Sequence, residues 1–342
     1  MHVHKKHVAI VASLSLTTLL AACGGGGGSS TPTSSTTSTS TTPTTTATNT
    51  GTTSSPTYAV GSQELAAFTQ LNAMRQQCGF PAVSENTLLD KAAANHMAYM
   101  NLNPSQGIMH TEVQGDAGFT GVTELARFQY LGYPVLNNEG TEVISPDSTD
   151  VGGAASVMSL ASTPYHLTGM FYPLAESGID YATVTLGPSA IEYTLLMDFS
   201  NQASTVANAN FNQAPLTFPC QGSAGVDYES AKQETPAPYV NGQPINTLTS
   251  PIGTPITVVG NLTDTVLLTS GTMTTPGGSQ ITLNTTDSSN DPNHNLAPFA
   301  AFAFPTNPLA ANTTYSVTLN GTDNGVTFTR QFSFTTGAQG QF

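Results

Sequence analysis

The sequence predicts an α+β fold followed by a separate all-β region. Residues 60–220 open with apolar residues at helical spacing and end in two strand-like runs. The last part of the chain holds about six short runs rich in Thr, Val and Phe, separated by Gly, Pro and Asn, a pattern typical of a β-sandwich. Helices first and strands last favour segregated layers over a parallel, doubly wound sheet.

Four segments of the first region carry helix signals. The first follows a candidate N-cap, Ser62, and ends at Gly79; the second begins near Thr87, and the third covers 123–132. The apolar stripes that define them are Leu65, Phe68, Leu71 and Met74; Leu89, Ala93, His96 and Met100; and Leu125, Phe128 and Leu131. Thr-Pro at 163–164 fits the N-cap and first residue of a short fourth helix.

Strands are expected at 178–186 and 190–200, where the helical patterns stop. In the all-β region the expected strands are 256–259, 266–268, 280–283, 299–304, 315–319 and 326–335. The chain therefore divides into a first domain at 59–220, a proline-containing linker at 221–246 and a second domain at 247–338.

The N-terminus predicts an exported lipoprotein. Lys5 and Lys6 precede an apolar run at 8–20, and Leu-Ala-Ala-Cys follows at 20–23. The run is too short for a permanent membrane span, so we expect residues 1–23 to be a signal peptide with a lipobox and Cys23 to carry the lipid. Gly24 after Cys23 favours the outer membrane or cell surface as the location in the cell envelope.

A disordered tether is expected at 24–58. Residues 24–57 are almost wholly Gly, Ser, Thr, Pro and Ala, with no charged or aromatic side chain, so they cannot bury enough apolar surface to offset their chain entropy. After Cys23 is used for the lipid, two cysteines remain, and an oxidising compartment favours a Cys78–Cys220 disulfide.

The net charge of the chain restricts the kinds of partner that it is expected to bind. All 21 acidic residues but only five of the seven Lys and Arg follow Cys23, so the mature formal charge is −16. Nucleic acid and anionic lipid head groups are therefore not expected as partners, because both need a basic surface. Membrane association is expected through the lipid anchor alone.

Candidate chemistry centres on two of the four histidines that follow Cys23. The chain lacks a G-x-S-x-G elbow, a phosphate-binding glycine loop and an H-E-x-x-H motif. His110 and His166 lie in polar settings with Glu112, Glu139 and Glu142 nearby in sequence, a set that could bind Zn²⁺ or another divalent ion. The alternative is that both are hydrogen-bonded structural histidines. His96 is read as a packed core histidine, His294 as part of an exposed loop and Arg127 as structural.

The order of several segments resembles the CAP superfamily of cysteine-rich secretory, antigen 5 and pathogenesis-related proteins, particularly its short bacterial members. The matching segments are LLDKAAANHMAYMNL at 88–102, Met-His-Thr at 109–111, GFTG at 118–121 leading to Arg127 and LGYP at 131–134, TEVIS at 141–145, STPYH at 162–166 and GIDY at 178–181. The resemblance covers 62–200. It implies an α-β-α sandwich with His110 and His166 facing each other across a cleft and Glu142 beside them.

Three departures from the family pattern affect the site. Val143 follows the glutamate where the family has asparagine, and Glu139 is a competing match for that glutamate. The family's second glutamate, expected between Glu142 and His166, has no counterpart in 152–163. Glu112 can replace it only if the loop after His110 turns that side chain inward.

The second domain ends in YSVTLNGT at 315–322 and FSFTT at 332–336, which resemble the terminal hairpin of bacterial Ig-like domains. Together these features predict an envelope protein that binds a small ligand, lipid or divalent metal ion in a His/Glu cleft. The alternative activity is a metal-dependent hydrolase with a metal on His110 and His166 and with Glu142 as base. A third hypothesis is a purely structural envelope protein.

Overall fold

The computed structural model describes residues 50–187, 190–213, 215–230 and 234–338, and it confirms a mixed α+β architecture. The helices are α1 (Gln63–Gln77), α2 (Thr87–Leu102), α3 (Glu124–Tyr130), α4 (Gly153–Ala161) and α5 (Pro164–Met170). The strands are β1 (Ser84–Glu85), β2 (Gly140–Asp147), β3 (Glu176–Gly187), β4 (Ala190–Ser200), β5 (Leu216–Phe218), β6 (Ala224–Val226), β7 (Tyr239–Val240), β8 (Gln243–Pro244), β9 (Ile256–Val259), β10 (Val266–Thr274), β11 (Gln280–Asp287), β12 (Ala300–Pro305), β13 (Thr314–Asp323) and β14 (Val326–Thr336).

Side-chain caps fix the starts of the first three helices. Ser62 accepts a hydrogen bond from Leu65 N–H at 3.2 Å, and Asn86 accepts one from Leu88 N–H at 3.0 Å. Thr123 caps α3 in the same way through Ala126 N–H. Each cap satisfies a backbone donor that the first helical turn leaves free, which places the helix start at that residue.

Four strands form the first sheet, in the order β1-β3-β4-β2. The β3–β4 and β4–β2 pairs are antiparallel, and β1 runs parallel to β3. In this register Glu142 lies opposite Asp198, and Glu176 lies opposite Ser200. Two acidic residues that are distant in sequence therefore enter the same sheet, one on each neighbour of β4.

Helices pack on both faces of this sheet. On β4, Leu195, Met197 and Phe199 point into a core shared with α1, α4 and α5. Leu196, one residue out of phase, points to the opposite face and packs with residues of α2. Successive side chains of a strand point to opposite faces of the sheet. Because helices cover both faces, apolar residues at alternate and at intervening positions of β4 are all buried.

The second sheet has eight strands in the order β5-β9-β12-β11-β10-β13-β14-β6. Its strands are antiparallel except for β6, which pairs parallel to β14. The two end strands, β5 and β6, come from residues before the predicted second domain. The segment 221–246, predicted as a linker, thus contributes β6 and the small β7–β8 pair.

The two sheet regions share apolar contacts, and the described residues belong to one compact unit. One buried cluster contains residues of α1, α4 and α5 together with residues of β9 and β12. Within it, Tyr165 packs edge-on against Phe302 with ring centroids 5.1 Å apart, and Tyr172 packs in the same way against Phe299 at 5.0 Å. The helical region and the large sheet are therefore packed together rather than strung on a free linker.

The predicted Cys78–Cys220 disulfide is confirmed, with the two Cα atoms 5.5 Å apart. Cys78 is the C-cap of α1, and Cys220 lies between β5 and β6. The bond therefore ties the first helix to the edge of the eight-stranded sheet.

The end of the predicted tether lies against the helical region. Thr53 N–H donates to the Glu85 carbonyl at 3.0 Å, and the Tyr58 hydroxyl donates to Asp90 at 2.7 Å. The predicted signal peptide, Cys23 and tether residues 24–49 lie outside the described residues. Within the part of the chain that is described, no helix is long and apolar enough to cross a membrane.

Candidate functional site

A cleft of about 360 Å³ brings His110 and His166 together. It lies between β2, α3, α5, the segment after β6 and the loop before β12. Its lining residues are His110, Glu124, Gly140, Thr141, Glu142, Val143, Tyr165, His166, Gly169, Tyr172, Glu234, Thr235, Pro236 and Asn295. The centroids of the two imidazole rings are 6.2 Å apart. The structure thus places the three residues predicted for the site, His110, Glu142 and His166, at one cavity.

His110 is held at its Nδ1 atom by Glu142. The two groups are 2.9 Å apart, and the other oxygen of Glu142 accepts a hydrogen bond from the Arg127 guanidinium. Arg127 also donates to the His110 carbonyl at 3.1 Å. Its position in α3, facing β2, therefore links the loop that carries His110 to the strand that carries Glu142.

Glu142 is a buried carboxylate that stays ionised. Burial raises its pKa, but the charge of Arg127 and the hydrogen bond from His110 outweigh burial and lower the pKa to about 2. An ionised carboxylate only accepts hydrogen bonds, so Nδ1 of His110 carries the proton. When the ring is neutral, its lone pair is then on Nε2.

A carboxylate also lies next to Nδ1 of His166, and it belongs to a residue that was not predicted from the sequence, Glu234. The Nδ1 atom of His166 lies 3.1 Å from a carboxylate oxygen of Glu234 and 3.0 Å from the Thr163 hydroxyl. The same carboxylate accepts hydrogen bonds from the backbone N–H groups of Tyr165 and His166. Side-chain exposure is 39% for His110 and 16% for His166, against 2% for Glu142 and 1% for Glu234. The rings reach the cleft while their carboxylate partners stay beneath it.

Glu112 is directed away from the cleft. Its carboxylate contacts Nδ1 of His96 at 3.0 Å and accepts hydrogen bonds from the backbone of Thr120 and Gly121. His96 is fully buried, and its Nε2 atom lies 2.7 Å from the Met109 carbonyl. His96 is therefore the packed, hydrogen-bonded core histidine that its helical stripe predicted, and Glu112 is its partner.

Glu139 lies outside the cleft lining. It is half-buried, burial raises its pKa, and its backbone carbonyl accepts a hydrogen bond from Ser200. Of the two alternatives for the family glutamate, Glu142 is the one at the cavity.

Two further acids surround the Glu142 position. Glu124, at the start of α3, lines the cleft, and burial raises its pKa. Asp198, opposite Glu142 on β4, is fully buried, and burial together with the nearby Glu142 charge raises its pKa well above the usual value. Asp198 therefore favours its neutral form, which limits the negative charge under His110.

Glu234, Tyr165 and Asn295 are cleft residues that sequence reasoning missed. Glu234 lies in the segment predicted as a linker, and Asn295 lies in the predicted second domain. Nothing local in Gln-Glu-Thr-Pro at 233–236 marks a site. The contact of Glu234 with the His166 backbone spans 68 residues and exists only once the two regions pack together.

Within the described ranges, no group of three or more His, Cys, Asp and Glu side chains is arranged to hold a metal ion. The contacts above give the reason. The Glu142 oxygens are engaged by His110 and Arg127, and those of Glu234 by His166 and backbone N–H groups. The cleft therefore offers two imidazole Nε2 atoms as uncommitted nitrogen donors, and no protein hydrogen bond to either is found among the described residues.

The chain matches no family model and no curated protein. Among solved structures, it is similar to a DUF4426 family protein from Pseudomonas aeruginosa, with 19% sequence identity over 26% of this chain and 76% of that one. The TM-score of that similarity is 0.19. This value is too low to support an inference about fold or function.

Proposed function

We propose that the protein binds a divalent transition metal ion in its cleft through Nε2 of His110 and Nε2 of His166. One observation carries the proposal: both imidazoles are engaged by a carboxylate at Nδ1 and line the same cavity with Nε2 uncommitted. Metal-binding histidines commonly have this arrangement, because a carboxylate at one nitrogen orients the ring and makes the other nitrogen a better ligand. Glu142 is then a partner of His110 rather than a direct ligand.

The charge around the cleft favours a cation. Arg127 compensates Glu142, but neither Glu124 nor Glu234 forms an ion pair with a Lys or Arg side chain among the described residues. The mature chain also carries a formal charge of −16, which disfavours anionic ligands. A positively charged ion therefore fits the cavity better than a phosphate or carboxylate compound.

The donor set indicates which ions are suitable. Imidazole nitrogen suits Zn²⁺, Cu²⁺ and Ni²⁺ better than Ca²⁺ or Mg²⁺, which prefer oxygen. With two protein donors, the remaining coordination positions are open to water or to a small ligand. A bound ion would polarise such a ligand, and the cleft residues Tyr165, Tyr172 and Asn295 would surround it.

For the fold, we propose a CAP-like domain at 59–220 followed by an Ig-like domain at 247–338. Support comes from the order of the matching segments in the sequence, from helices on both faces of the four-stranded sheet, and from the convergence of the His110 and His166 segments. The Ig-like assignment rests on the resemblance of 315–322 and 332–336 to a terminal hairpin. Residues in these two ranges belong to the adjacent antiparallel strands β13 and β14.

The hydrolase alternative has less support. It needs Glu142 as a general base, but a carboxylate with a pKa of about 2, paired with Arg127, is a weak proton acceptor near neutral pH. Metal or ligand binding without catalysis therefore fits the cleft better.

Titration calorimetry with Zn²⁺ tests the metal proposal. His110→Ala and His166→Ala should each lower the affinity at least about tenfold, because each removes one of the two nitrogen donors. His294→Asn is a matched control: it removes an imidazole from an exposed loop outside the cleft, and asparagine tolerates the positive φ of 53° at that position. Equal affinity in wild type and in both cleft variants would refute the proposal, and loss in one alone would show that the histidines do not act together.

We also propose that the mature protein is held in the cell envelope, at the outer membrane or cell surface, by a lipid on Cys23. The lipobox at 20–23 and the pairing of the other two cysteines support this. Cys23→Ser should remove the lipid and leave the protein unprocessed or released from the membrane, as measured by fractionation and by metabolic labelling with a fatty acid. A variant that is correctly processed and still partitions with membranes would contradict the anchor.

A further inference from the structure

Glu234 contacts His166 from outside the region that the family resemblance covers. It lies between β6 and β7, in the segment predicted as a linker, and its side chain is 1% exposed. Both carboxylate oxygens accept backbone hydrogen bonds from the start of α5: one oxygen from Tyr165 N–H at 3.0 Å and the other from His166 N–H at 3.2 Å. The carboxylate is thus fixed before its contact with the imidazole is considered.

The hydrogen bonds around Nδ1 of His166 determine where its ring proton lies. The Thr163 hydroxyl donates to the Leu160 carbonyl at 3.0 Å, so its oxygen is an acceptor toward the imidazole. A Glu234 carboxylate oxygen lies 3.1 Å from the same nitrogen as a charged neighbour. A ring nitrogen that faces an accepting hydroxyl oxygen must be the donor, and the nearby carboxylate charge favours a proton there as well, so the neutral ring carries its proton on Nδ1.

We propose that Glu234 is a positioning residue of the cleft, which holds His166 as the Nδ1–H tautomer with the Nε2 lone pair available to a ligand. The Thr163 hydroxyl is the hydrogen-bond partner of Nδ1, and Glu234 acts on the same nitrogen through its charge: a carboxylate oxygen at 3.1 Å attracts a proton on Nδ1 and repels a lone pair there. The consequence for metal affinity rests on the proposed function, whereas the tautomer assignment does not.

The proposal gives the cleft two equivalent halves. Glu142 is hydrogen-bonded to Nδ1 of His110 at 2.9 Å, and a Glu234 oxygen lies 3.1 Å from Nδ1 of His166. The second glutamate that is missing from 152–163 is thus replaced by a carboxylate from a different part of the chain.

The large sheet region keeps Glu234 in place. Asn293, in the loop before β12, donates to the Ala237 carbonyl at 2.8 Å and to the Tyr165 hydroxyl at 3.0 Å. Asn293 therefore links the segment that carries Glu234 to the helix that carries His166. Packing of the two regions is what assembles this half of the site.

Long-range ¹H–¹⁵N spectra of the histidine rings test the assignment directly in the metal-free full-length chain, purified in detergent with chelator and held near pH 8, where neutral imidazole predominates. The variant is Glu234→Gln, which keeps the shape but removes the negative charge and leaves one acceptor oxygen for the two backbone N–H donors. Glu229→Gln is the control, because Glu229 lies five residues away and does not line the cleft. Thermal unfolding of all three proteins establishes that they are folded.

We expect His166 of the wild type and of Glu229→Gln to carry its proton on Nδ1, and Glu234→Gln to show a new population with the proton on Nε2. A wild-type proton on Nε2, or spectra of Glu234→Gln identical to wild type, would overturn the proposal. Zn²⁺ affinity should also fall about 10–100-fold in Glu234→Gln. If wild type binds no Zn²⁺, the metal proposal fails, and the ring spectra still decide the role of Glu234.

Discussion

Two buried glutamates on the same four-stranded sheet have different surroundings. Glu176, on β3, accepts hydrogen bonds from neutral donors alone: the hydroxyls of Thr52 and Tyr133 and the side-chain amides of Asn86 and Gln202. Glu142, on β2, is paired with the Arg127 cation and with the His110 ring. Both side chains are nearly inaccessible, but only Glu142 lines a cleft.

This difference shows that a buried carboxylate does not by itself mark a functional site. The side chains that donate to Glu176 form a hydrogen-bond network within the protein, the Glu176 network. This network connects residues 50–52 to the sheet. Glu142 is hydrogen-bonded to Nδ1 of His110. The His110 ring is 39% exposed, and its second nitrogen, Nε2, is on the side of the ring away from Glu142. An imidazole with one nitrogen engaged and the other uncommitted at a cavity is what distinguishes the candidate site from the structural network.

The largest effect is expected for Glu142→Gln. An amide has one acceptor oxygen, so it cannot serve both Arg127 and His110, and it removes the carboxylate with which the buried guanidinium is paired. Breaking a buried ion pair in this way costs about 3–5 kcal/mol of unfolding free energy. We expect urea denaturation to show this loss and Zn²⁺ calorimetry to show a fall in affinity of about tenfold or more.

Glu176→Gln is the matched comparison, with a smaller expected effect. The same substitution in the Glu176 network removes one hydrogen-bond acceptor but leaves no unpaired buried cation. We therefore expect the free energy of unfolding to fall by about 1–3 kcal/mol. Zn²⁺ affinity should equal that of wild type. If Glu176→Gln lowers Zn²⁺ affinity as much as Glu142→Gln does, the distinction between a structural network and a candidate site is wrong.

Much of the fold was predictable because apolar spacing is a local property. The stripe Leu65, Phe68, Leu71 and Met74 has the helical period, and its last three residues are buried in α1. By contrast, α4 was missed, since GAASVMSLA is short and consists largely of small residues, with Val157, Met158 and Leu160 as its larger apolar side chains. The edge strand β2 was recognised only as a family-like segment. Its four central residues are all buried, so the strand lacks the alternation of buried and exposed residues that marks a half-exposed strand.

The candidate site was predictable only in part. His110, Glu142 and His166 were selected through the order of family-like segments, and all three line one cavity. The Arg127–Glu142 pair and the Glu234–His166 pair were not predictable, since each joins elements that meet only in the folded chain. From the sequence, Arg127 was predicted to be structural, with no partner assigned, and Glu234 was assigned to a linker. Neither residue lies in a local motif that predicts which residue it contacts.

The last prediction concerns how stability depends on pH, at a residue near the hydrogen-bond network of Glu176. Asp90 in α2 accepts hydrogen bonds from the Tyr58 hydroxyl at 2.7 Å and from Ile179 N–H at 2.9 Å. Burial raises its pKa from 3.8 to about 7, although both hydrogen bonds act in the opposite direction. Between these two values the folded chain binds more protons at Asp90 than the unfolded chain, so this residue lowers the stability as pH rises through that window.

Asp90→Asn should remove this contribution and keep both hydrogen bonds, because both end on Oδ1, which the amide oxygen of asparagine replaces. We expect the variant to be close to wild type in stability near pH 4 and to be more stable than wild type near pH 8, where the folded wild-type chain must ionise a buried Asp90. Urea denaturation across this range measures the difference, and Zn²⁺ affinity should not change. Parallel pH profiles for the two proteins would show that Asp90 titrates normally. An altered Zn²⁺ affinity would show instead that the network around residues 50–58 and 90 is coupled to the cleft, which the separate hydrogen-bond partners of Glu142 and Glu176 argue against.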